Sequence, residues 1–503
     1  MAWWERRWFL AAALLASVLP LLWPAIPPLD DVPGHIGRYH IAAALSDSPL
    51  LQRHWDYRWA VIGNLGVDII AIPLVPLIGA ELAARLVILC IPPLFVIGLA
   101  AVSRAGGGRL SPAFGFAVPL AYAYPFQLGF VNFMLSAALA LLALALWMRL
   151  AARPWARAIL FAGIAWIVWI AHSSGWGLLG LTAFASEVAR RRREGWARAM
   201  ILAAFACLPM ALPLIAMAGG AGGAGFEWDW QAKAVWLSSL LRDRWKWFDI
   251  AAAILLFALL WFAVRDRRVR FDAMGGTAAV AALIAFALLP RLAFGGAYVD
   301  MRMLAPGVGL ALVAIRSTDP RLAHRLALGG AAFLAVRTLA TVASFILYAQ
   351  LQRPALAVVP QIPRGAAVLV LVNEACTSAW HGDRLGHIAG IAAARRDIFE
   401  NGQWALGGQQ LLRARHARAE PYRTDPSQLV YPATCAYRQT DAARALAGFD
   451  RATFSHVWTL GFPARDRLAP DLRLVAASKL SALYRVEATS RVRERLSRPA
   501  PRP

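Results

Sequence analysis

The chain has 503 residues, of which 59% are hydrophobic and only 16% are charged. With a mean hydropathy of +0.52, it is too apolar to be a soluble protein whose surface must be covered by water. The formal charge of +23 would suit nucleic-acid binding, but the basic residues are scattered between apolar stretches with no nucleic-acid-reading module beside them, so we expect no nucleic-acid partner.

The first apolar stretch, Phe9 to Ile26, approaches the roughly 20 residues that cross a bilayer as a helix. It follows Trp3-Trp4-Glu5-Arg6-Arg7, and no small-x-small cleavage site follows it cleanly. We therefore interpret it as a retained first span and not as a signal peptide. Leu82 to Val102 and Asn132 to Leu150 are similar stretches, and a helix satisfies its own backbone hydrogen bonds in lipid.

Basic clusters separate the apolar stretches of the first 350 residues, and the positive-inside rule places these clusters in the cytoplasm. The pattern predicts a membrane domain over residues 1–350 with about eleven spans, a cytoplasmic N-terminus and a first outer loop over residues 27–79. Ile62 to Ile78 is long enough to span, but Asn64, Asp68 and two prolines interrupt it. A crossing there would move every later basic cluster to the other side, so we place this segment as re-entrant or interfacial.

The composition changes after Tyr348. The seven-residue run Ala366 to Val372 is too short to span and is typical of a buried strand. Further strands are predicted at Phe454 to Leu460 and at Leu480 to Glu487, and helices at Leu385 to Arg396 and at Ala442 to Ala447. The predicted fold class is therefore mainly α, a polytopic helical membrane domain followed by a small soluble extracytoplasmic α/β domain over residues 351–488, with a disordered tail at 489–503.

The four cysteines fall into two pairs by position. Cys90 and Cys207 lie in predicted spans, where small apolar packing is the ordinary role of a cysteine. Cys376 and Cys435 lie in the C-terminal domain, at a separation that does not fit a zinc knuckle or a CxxC motif. An oxidising periplasm would favour a disulfide between them, and two free thiols remain the alternative.

The first outer loop contains a pair of acids, Asp30-Asp31, directly before a helix predicted from Pro33 to about Leu45. A solvated N-cap is the simplest interpretation of this pair. The functional interpretation depends on His35 and Arg38, because their helical spacing would place an imidazole and a guanidinium on the same face as the two carboxylates. The helix dipole favours ionised acids at this end, which suits a general base that deprotonates a hydroxyl.

Other polar residues near the predicted outer turns are candidate substrate-binding residues. Arg302 and Arg291 bracket an outer turn that also holds Tyr298, and a guanidinium there could bind a lipid phosphate, although interfacial arginines also occur without a ligand. His172 lies at the outer end of a predicted span, where a hydrogen-bonded structural role is the alternative. His54, beside Trp55, could line a sugar site, although aromatic residues are common at membrane surfaces.

These features together resemble the C-type membrane glycosyltransferases (GT-C), which include protein O-mannosyltransferases and the aminoarabinose transferase-like bacterial sugar transferases. The resemblance rests on the first span, the dyad Asp30-Asp31 just after it, an amphipathic outer loop, and Gly79-Ala80-Glu81-Leu82-Ala83-Ala84-Arg85-Leu86 at the start of the second span. The multi-span body and the C-terminal domain fit the same pattern, so the resemblance extends along the whole chain. Its specific motifs occupy only the first fifth.

The resemblance implies an enzyme of a bacterial inner membrane that moves a sugar from a polyprenyl-phosphate donor to a periplasmic glycan, lipid or protein. It implies that Asp30 or Asp31 is the catalytic base and that basic residues bind the donor phosphate. No cofactor is certain, and a divalent cation at Asp30 and Asp31 is an alternative, because Pro33 and His35 after the dyad depart from the commoner pattern. A polytopic transporter or flippase and a non-catalytic membrane scaffold are the alternatives to an enzyme.

Overall fold

The structure is a computed structural model that describes residues 1–217, 225–293, 295–376, 380–382, 384–405, 410–435 and 440–487. The predicted disordered tail, 489–503, lies outside the described residues. In chain order the α-helices are α1 (Arg7–Leu22), α2 (Val32–Ala44), α3 (Pro49–Gln52), α4 (Gly66–Ala71), α5 (Val75–Ile78), α6 (Ala80–Gly107), α7 (Phe114–Ala117), α8 (Tyr124–Gln127), α9 (Val131–Arg149), α10 (Pro154–Ala171), α11 (Ser173–Arg191), α12 (Trp196–Cys207), α13 (Leu214–Met217), α14 (Trp230–Ser238), α15 (Lys246–Arg265), α16 (Ala273–Leu288), α17 (Met301–Ala314), α18 (Pro320–Leu356), α19 (Ala389–Arg396) and α20 (Ala442–Gly448).

The β-strands are short outside the last third of the chain. They are β1 (Trp55–Tyr57), β2 (Phe226–Glu227), β3 (Val269–Phe271), β4 (Leu292–Ala293), β5 (Gly296–Ala297), β6 (Ile315–Ser317), β7 (Ala367–Asn373), β8 (Phe399–Glu400), β9 (Leu412–Ala414), β10 (Leu429–Val430), β11 (His456–Leu460), β12 (Arg467–Ala469), β13 (Leu472–Ala477) and β14 (Ser481–Val486).

Several helices are suited to a bilayer by length and composition. Within the described part of the chain, five are long and apolar enough to cross it: α6, α9, α10, α15 and α18 with its continuation to Gln361. Shorter apolar helices lie at Arg7–Leu22, Gly66–Ile78, Trp196–Ala211, Ala273–Leu288 and Met301–Ala314. The predicted spans at Phe9 to Ile26, Leu82 to Val102 and Asn132 to Leu150 correspond to α1, α6 and α9. Ile62 to Ile78 forms two short helices, α4 and α5, joined by a 3-10 turn.

The chain divides into two compact units. The span unit consists of Met1–Leu29, Ala60–Ala71 and Ala84–Ile346, and the C-terminal unit consists of Asp30–Trp59, Ile72–Ala83 and the chain from Leu347 onwards. In the span unit α11 packs against α9 and α16, and α16 packs against α17. The residues that form α2, α3 and α5 are thus early in the sequence but belong to the C-terminal unit.

Among its described residues the span unit contains three buried ion pairs that the sequence did not indicate, and one of them joins Arg157 to Glu187 at 3.0 Å. Arg337, within α18, donates to Asp249 at 2.7 Å, and both side chains are almost fully buried. Lys233 lies 3.0 Å from Asp300 and also donates to the carbonyl oxygens of Phe286 and Leu289. Charged groups so far from water remain ionised only when they are paired in this way.

The C-terminal unit is built on a mixed sheet. The strand order is β10-β7-β11-β14-β13-β12, and β8 also pairs with β7. The central pairs β10–β7 and β7–β11 are parallel, whereas β11–β14, β14–β13 and β13–β12 are antiparallel. Strand β7 is buried from Ala367 to Val372, which explains its unbroken apolar sequence, because a parallel strand in mid-sheet is covered on both faces. The predictions of strands at β7, β11 and β14 and of helices at α19 and α20 are confirmed.

Helix α2 packs closely against α19 in the C-terminal unit. The two helices meet at glycines, and a Cβ built on Gly37 would lie 2.7 Å from the carbonyl oxygen of Gly390. A Cβ on Gly390 would lie 2.2 Å from the carbonyl oxygen of Pro33. Since no side chain fits at either position, these glycines set the approach that holds the start of α2 against the C-terminal unit.

Cys376 and Cys435 are joined by a disulfide within the C-terminal unit, with Cα atoms 5.2 Å apart. Cys90 and Cys207 are free. Cys90 is exposed on the surface of α6 and Cys207 is partly buried, so the expectation that both pack inside the protein is wrong for Cys90.

Candidate functional site

The two acids of the dyad lie at the start of α2. Asp31 occupies the N-cap position, but its carboxylate accepts no capping hydrogen bond from the described amides of this helix. Its backbone carbonyl oxygen instead accepts from the amide of His35 at 3.1 Å. The prediction that Asp31 stands at the N-cap is confirmed. A capping role for its side chain is wrong, because the carboxylate faces His387 and other side chains of the C-terminal unit.

The residue that faces the dyad is His387, from the turn before α19. Its Nε2 lies 3.7 Å from Oδ1 of Asp31 and 3.4 Å from Oδ1 of Asp425. Its Nδ1 donates to the carbonyl oxygen of Gly402 at 2.8 Å, which fixes the orientation of the ring. Only 10% of the His387 side chain is exposed, against 20% for Asp31 and 19% for Asp425. The site is thus an imidazole held between two carboxylates at the edge of the solvent.

Surrounding groups hold these side chains in place. Gln428 donates to Oδ1 of Asp425 at 2.9 Å, and the Asp425 amide donates to the carbonyl oxygen of Gln403 at 3.2 Å. Glu400 accepts from the amide of Gly402 at 2.6 Å and from the side chain of Gln403 at 2.7 Å. The carbonyl that orients His387 therefore belongs to a turn that is itself fixed by a buried carboxylate.

Aromatic rings cover one side of the site. Trp404 stacks on His387 with ring centroids 4.2 Å apart and lies 5.0 Å from the ring of His35. The guanidinium of Arg38 lies 5.9 Å from the Trp404 ring and donates to Gln410 at 3.2 Å. His35 and Arg38, both predicted as site residues, are buried beside the dyad as helical spacing indicated.

The dyad is harder to ionise than the sequence analysis expected. Burial raises the pKa of Asp31 to about 7, with His387 opposing and the neighbouring carboxylates of Asp30 and Asp425 adding to the rise. Burial also raises the pKa of Asp30, against the opposing charges of His387 and Arg384. The helix dipole was expected to favour the ionised forms, but loss of water outweighs it here.

The carboxylates near His387 outweigh the effect of burial on its pKa. Burial alone would lower the pKa of His387, but Asp425, Asp31 and Asp30 together with the bond to Gly402 raise it above its ordinary value. The imidazole therefore holds a proton more strongly than an ordinary histidine does, and Asp31, with a pKa of about 7, is partly ionised near neutral pH. A carboxylate whose pKa lies near neutrality, next to a cation, can accept a proton from a substrate hydroxyl and return it to solvent.

The described residues contain no group of three or more His, Cys, Asp or Glu side chains arranged to hold a metal ion. The alternative of a divalent cation at Asp30 and Asp31 stays a prediction, because Mg²⁺ can be held by one or two carboxylates with water and substrate phosphate as its other ligands.

His54 is buried in the C-terminal unit and bonds to other parts of it. Its Nδ1 lies 2.7 Å from Nε2 of His416, and its Nε2 lies 2.9 Å from the carbonyl oxygen of Gly365. Burial lowers the pKa of His54. These contacts describe a neutral histidine pair that links α3 and β1 to the sheet, so its place in a sugar site stays a prediction.

The structure brings together the four candidate residues that lie in the span unit. Arg302 donates to the hydroxyl of Ser174 at 3.2 Å, and the amide of Ser174 donates to Nδ1 of His172 at 3.0 Å. The Arg302 guanidinium lies 5.0 Å from the ring of Phe130, which stacks on Tyr298 at 6.0 Å. Arg291 also contacts the Tyr298 ring at 5.4 Å but forms an ion pair with Asp229 at 3.0 Å.

Sequence reasoning missed three residues of the dyad site: His387, Asp425 and Trp404. None lies in a motif, and all lie far along the chain from Asp31. The one available signal was that His387 lies in the first turn of the helix predicted at Leu385 to Arg396. That signal does not indicate a partner.

Comparison with known proteins gives a fold but no close relative. No protein-family model matches the sequence, and no curated protein sequence matches it. A crystal structure of ArnT from Cupriavidus metallidurans bound to undecaprenyl phosphate aligns with a TM-score of 0.53 at 15% identity, over 95% of this chain and 97% of ArnT. ArnT in the apo state aligns over the same shares, with a TM-score of 0.51 and 15% identity. At this identity the likeness shows the fold alone. The chain has the fold of ArnT, and it is a mainly helical, multi-pass membrane protein with a C-terminal sheet domain.

Proposed function

We propose that this protein is a membrane glycosyltransferase that moves a single sugar from a polyprenyl-phosphate donor to an acceptor hydroxyl. The observation that carries the proposal is the placement of Asp31 beside His387, with a pKa of about 7, in a chain with the fold of ArnT. A scaffold does not need a carboxylate tuned in this way. Proton-coupled transporters place such groups within their membrane-spanning helices, whereas Asp31 lies in the C-terminal unit, where its pKa suits a general base.

The chemical step is a displacement at the anomeric carbon. The acceptor oxygen attacks this carbon while Asp31 takes the hydroxyl proton, the bond from the carbon to the phosphate oxygen breaks, and polyprenyl phosphate leaves with the electron pair. A single displacement inverts the configuration of the sugar. Asp31 is favoured over Asp30 as the base because it lies against His387, whose charge helps to hold it in the ionised form.

His387 acts as a positioning residue in this scheme. The bond from its Nδ1 to Gly402 and the stack on Trp404 fix the ring, so that Nε2 stays directed at Asp31 and Asp425. His35 and Arg38, which are buried on the same helix as the dyad, are the proposed contacts to the sugar or the acceptor.

The proposed phosphate-binding residue is Arg302 of the span unit. Its guanidinium donates to the hydroxyl of Ser174 and lies 5.0 Å from the ring of Phe130, and a guanidinium can bind a phosphate through two parallel hydrogen bonds. Arg291 is a weaker candidate because Asp229 already pairs with it. His172 and Tyr298, which flank Arg302 through Ser174 and Phe130, complete the proposed donor site.

The proposed topology has about eleven spans, a cytoplasmic N-terminus and a C-terminal unit in the periplasm of a bacterial inner membrane. The disulfide between Cys376 and Cys435 supports this orientation, because such bonds persist outside the reducing cytoplasm. The acceptor is proposed to be a periplasmic glycan, lipid or protein.

Analysis of the lipid carrier in a deletion strain tests the function. The strain should accumulate one polyprenyl-phosphate sugar, detectable by mass spectrometry of extracted lipids, and that species identifies the sugar. The wild-type gene and the Asp466→Asn variant, which changes an exposed acid of the same unit, should clear it. Asp31→Asn should not clear it although the protein is inserted at wild-type level, and Asp30→Asn should clear it poorly.

Two results would count against the proposal. Absence of any accumulated carrier-linked sugar in the deletion strain would contradict the proposal that the donor is a polyprenyl-phosphate sugar. Full clearance of the accumulated donor by both the Asp30→Asn and the Asp31→Asn variants would contradict the proposal that one of these aspartates is the catalytic base.

A further inference from the structure

The C-terminal unit has a cavity at the other end of α2 from the dyad. Its volume is about 890 Å³. His40, Ala44 and Asp47 line it from the end of α2 and the turn that follows, and Arg364 and Asp397 line it from the opposite side. His40 lies nine residues after Asp31, which is about 13 Å along a helix, so this cavity is distinct from the proposed catalytic site.

The start of a candidate membrane span forms one wall of the cavity. Ala80, Glu81 and Leu82 line it, and they form the first turn of α6, which is long and apolar enough to cross a bilayer. A bilayer crossed by α6 would place this cavity at the depth of the lipid headgroups. Two of its lining side chains, Ile78 and Leu82, are 38% and 43% exposed, and the adjacent Leu77 is 77% exposed. Such an apolar rim at the membrane surface suits the chains of a lipid better than a freely soluble ligand.

Most charged groups of the cavity are already paired. Asp397 accepts from His40 at 2.7 Å and also pairs with Arg364. Glu81 pairs with both sides of the Arg395 guanidinium, at 2.7 and 2.9 Å. Asp47 is exposed and has no ion-pair partner among the residues that the structure describes.

The charge that is not neutralised in this cavity is therefore negative, in a chain whose net charge is +23. The C-terminal end of α2, at Ala43 and Ala44, adds the negative end of the helix dipole to the same wall. Both features favour a cationic group in the cavity. The Arg364 guanidinium, 61% exposed beside Asp397, can contact an anionic group nearer the opening.

We propose that this cavity binds the headgroup of a zwitterionic membrane lipid that ends in a primary ammonium. The ammonium donates to the carboxylate of Asp47 at the C-terminal end of α2, the lipid phosphate faces Arg364, and the acyl chains lie over Ile78 and Leu82. This site does not depend on the proposed transfer reaction. It attaches the C-terminal unit to the membrane surface beside the start of α6.

Lipid selection by the purified full-length protein tests the site. Delipidated protein is incubated with equimolar phosphatidylethanolamine, phosphatidylcholine and phosphatidylglycerol that carry the same acyl chains, and the retained lipid is measured by native mass spectrometry. Wild-type protein and the Asp466→Asn control should retain phosphatidylethanolamine about five- to tenfold over the other two, because only its headgroup offers the Asp47 carboxylate a positive charge on an N–H donor.

Two variants separate charge from shape. Asp47→Lys should reverse the preference towards phosphatidylglycerol, and Ala43→Phe, which fills the cavity, should lower retention of all three lipids. Asp47 is exposed, so its substitution leaves the fold intact, which thermal unfolding checks. Equal retention of the three lipids by wild-type protein would overturn the proposal, as would an unchanged preference in Asp47→Lys.

Discussion

The rate of sugar transfer should follow the ionisation of Asp31. Since its pKa lies at about 7, about half of the molecules hold the ionised base at pH 7 and about one tenth at pH 6. The initial rate should therefore fall about fivefold between these two values and about tenfold more by pH 5. A carboxyl group with the ordinary pKa of 3.8 would give a nearly constant rate over the same interval.

Replacing His387 by Gln should raise the pH below which the rate of transfer falls. The imidazole lies 3.7 Å from Asp31 and lowers the pKa of the carboxyl group. An opposite charge at such a distance is worth about one pH unit or more. If the pKa of Asp31 becomes about 8, the rate at pH 7 falls about fivefold and recovers near pH 9.

Permeabilised membranes of the deletion strain supply both the accumulated donor and the acceptor for this assay. Purified wild-type, His387→Gln and His381→Gln proteins are added, and the initial rate of donor loss is measured from about pH 5 to about pH 9. His381 is exposed, so its variant should reproduce the wild-type profile. A wild-type rate that stays constant down to pH 5, or a His387→Gln variant that is slowed equally at every pH, would refute the role of this pair.

Two further predictions concern the packing that holds the site. Reduction of the Cys376–Cys435 disulfide should destabilise the C-terminal unit by about 4 kcal/mol, because it opens a loop of 59 residues. Thermal unfolding with and without reductant measures this loss of stability. The variant with serine at both positions should not respond to reductant. Gly390→Ala should cost about 1 to 3 kcal/mol and slow transfer, because its Cβ would lie 2.2 Å from the carbonyl oxygen of Pro33. Gly448→Ala, whose Cβ would meet nothing within 4 Å, should leave stability and rate unchanged.

The elements that the sequence predicted well are those specified by short stretches of chain. A long apolar run indicates α6 or α9 because a lipid environment requires that composition along the whole helix. Strand β7 is predicted because seven consecutive apolar residues bounded by polar ones fit a strand buried on both faces. The start of α2 follows from Pro33, whose fixed backbone angle suits a first helical turn.

The partners of the dyad could not be predicted because they are set by tertiary contacts. The local sequence around His387 contains no catalytic pattern, and only the packing of α19 on α2 brings it to Asp31. The direction of the pKa shift of Asp31 was predicted wrongly for the same reason. The helix dipole can be inferred from neighbouring residues, whereas burial depends on Trp404 and on loops that follow β7.

The place of the dyad within the C-terminal unit indicates what this unit does. A domain that only covered the site or held an acceptor would leave the base to be oriented by its own loop. Here the loop that bears Asp31 packs with the C-terminal unit, and that unit supplies the imidazole, the second carboxylate and the ring that stacks on the imidazole. The pKa of Asp31, the proposed base, depends on these groups, which lie more than three hundred positions later in the chain. If Asp31 is the base, substitutions on the face of the C-terminal unit that packs against α2 should alter the pH dependence of transfer before they alter membrane insertion.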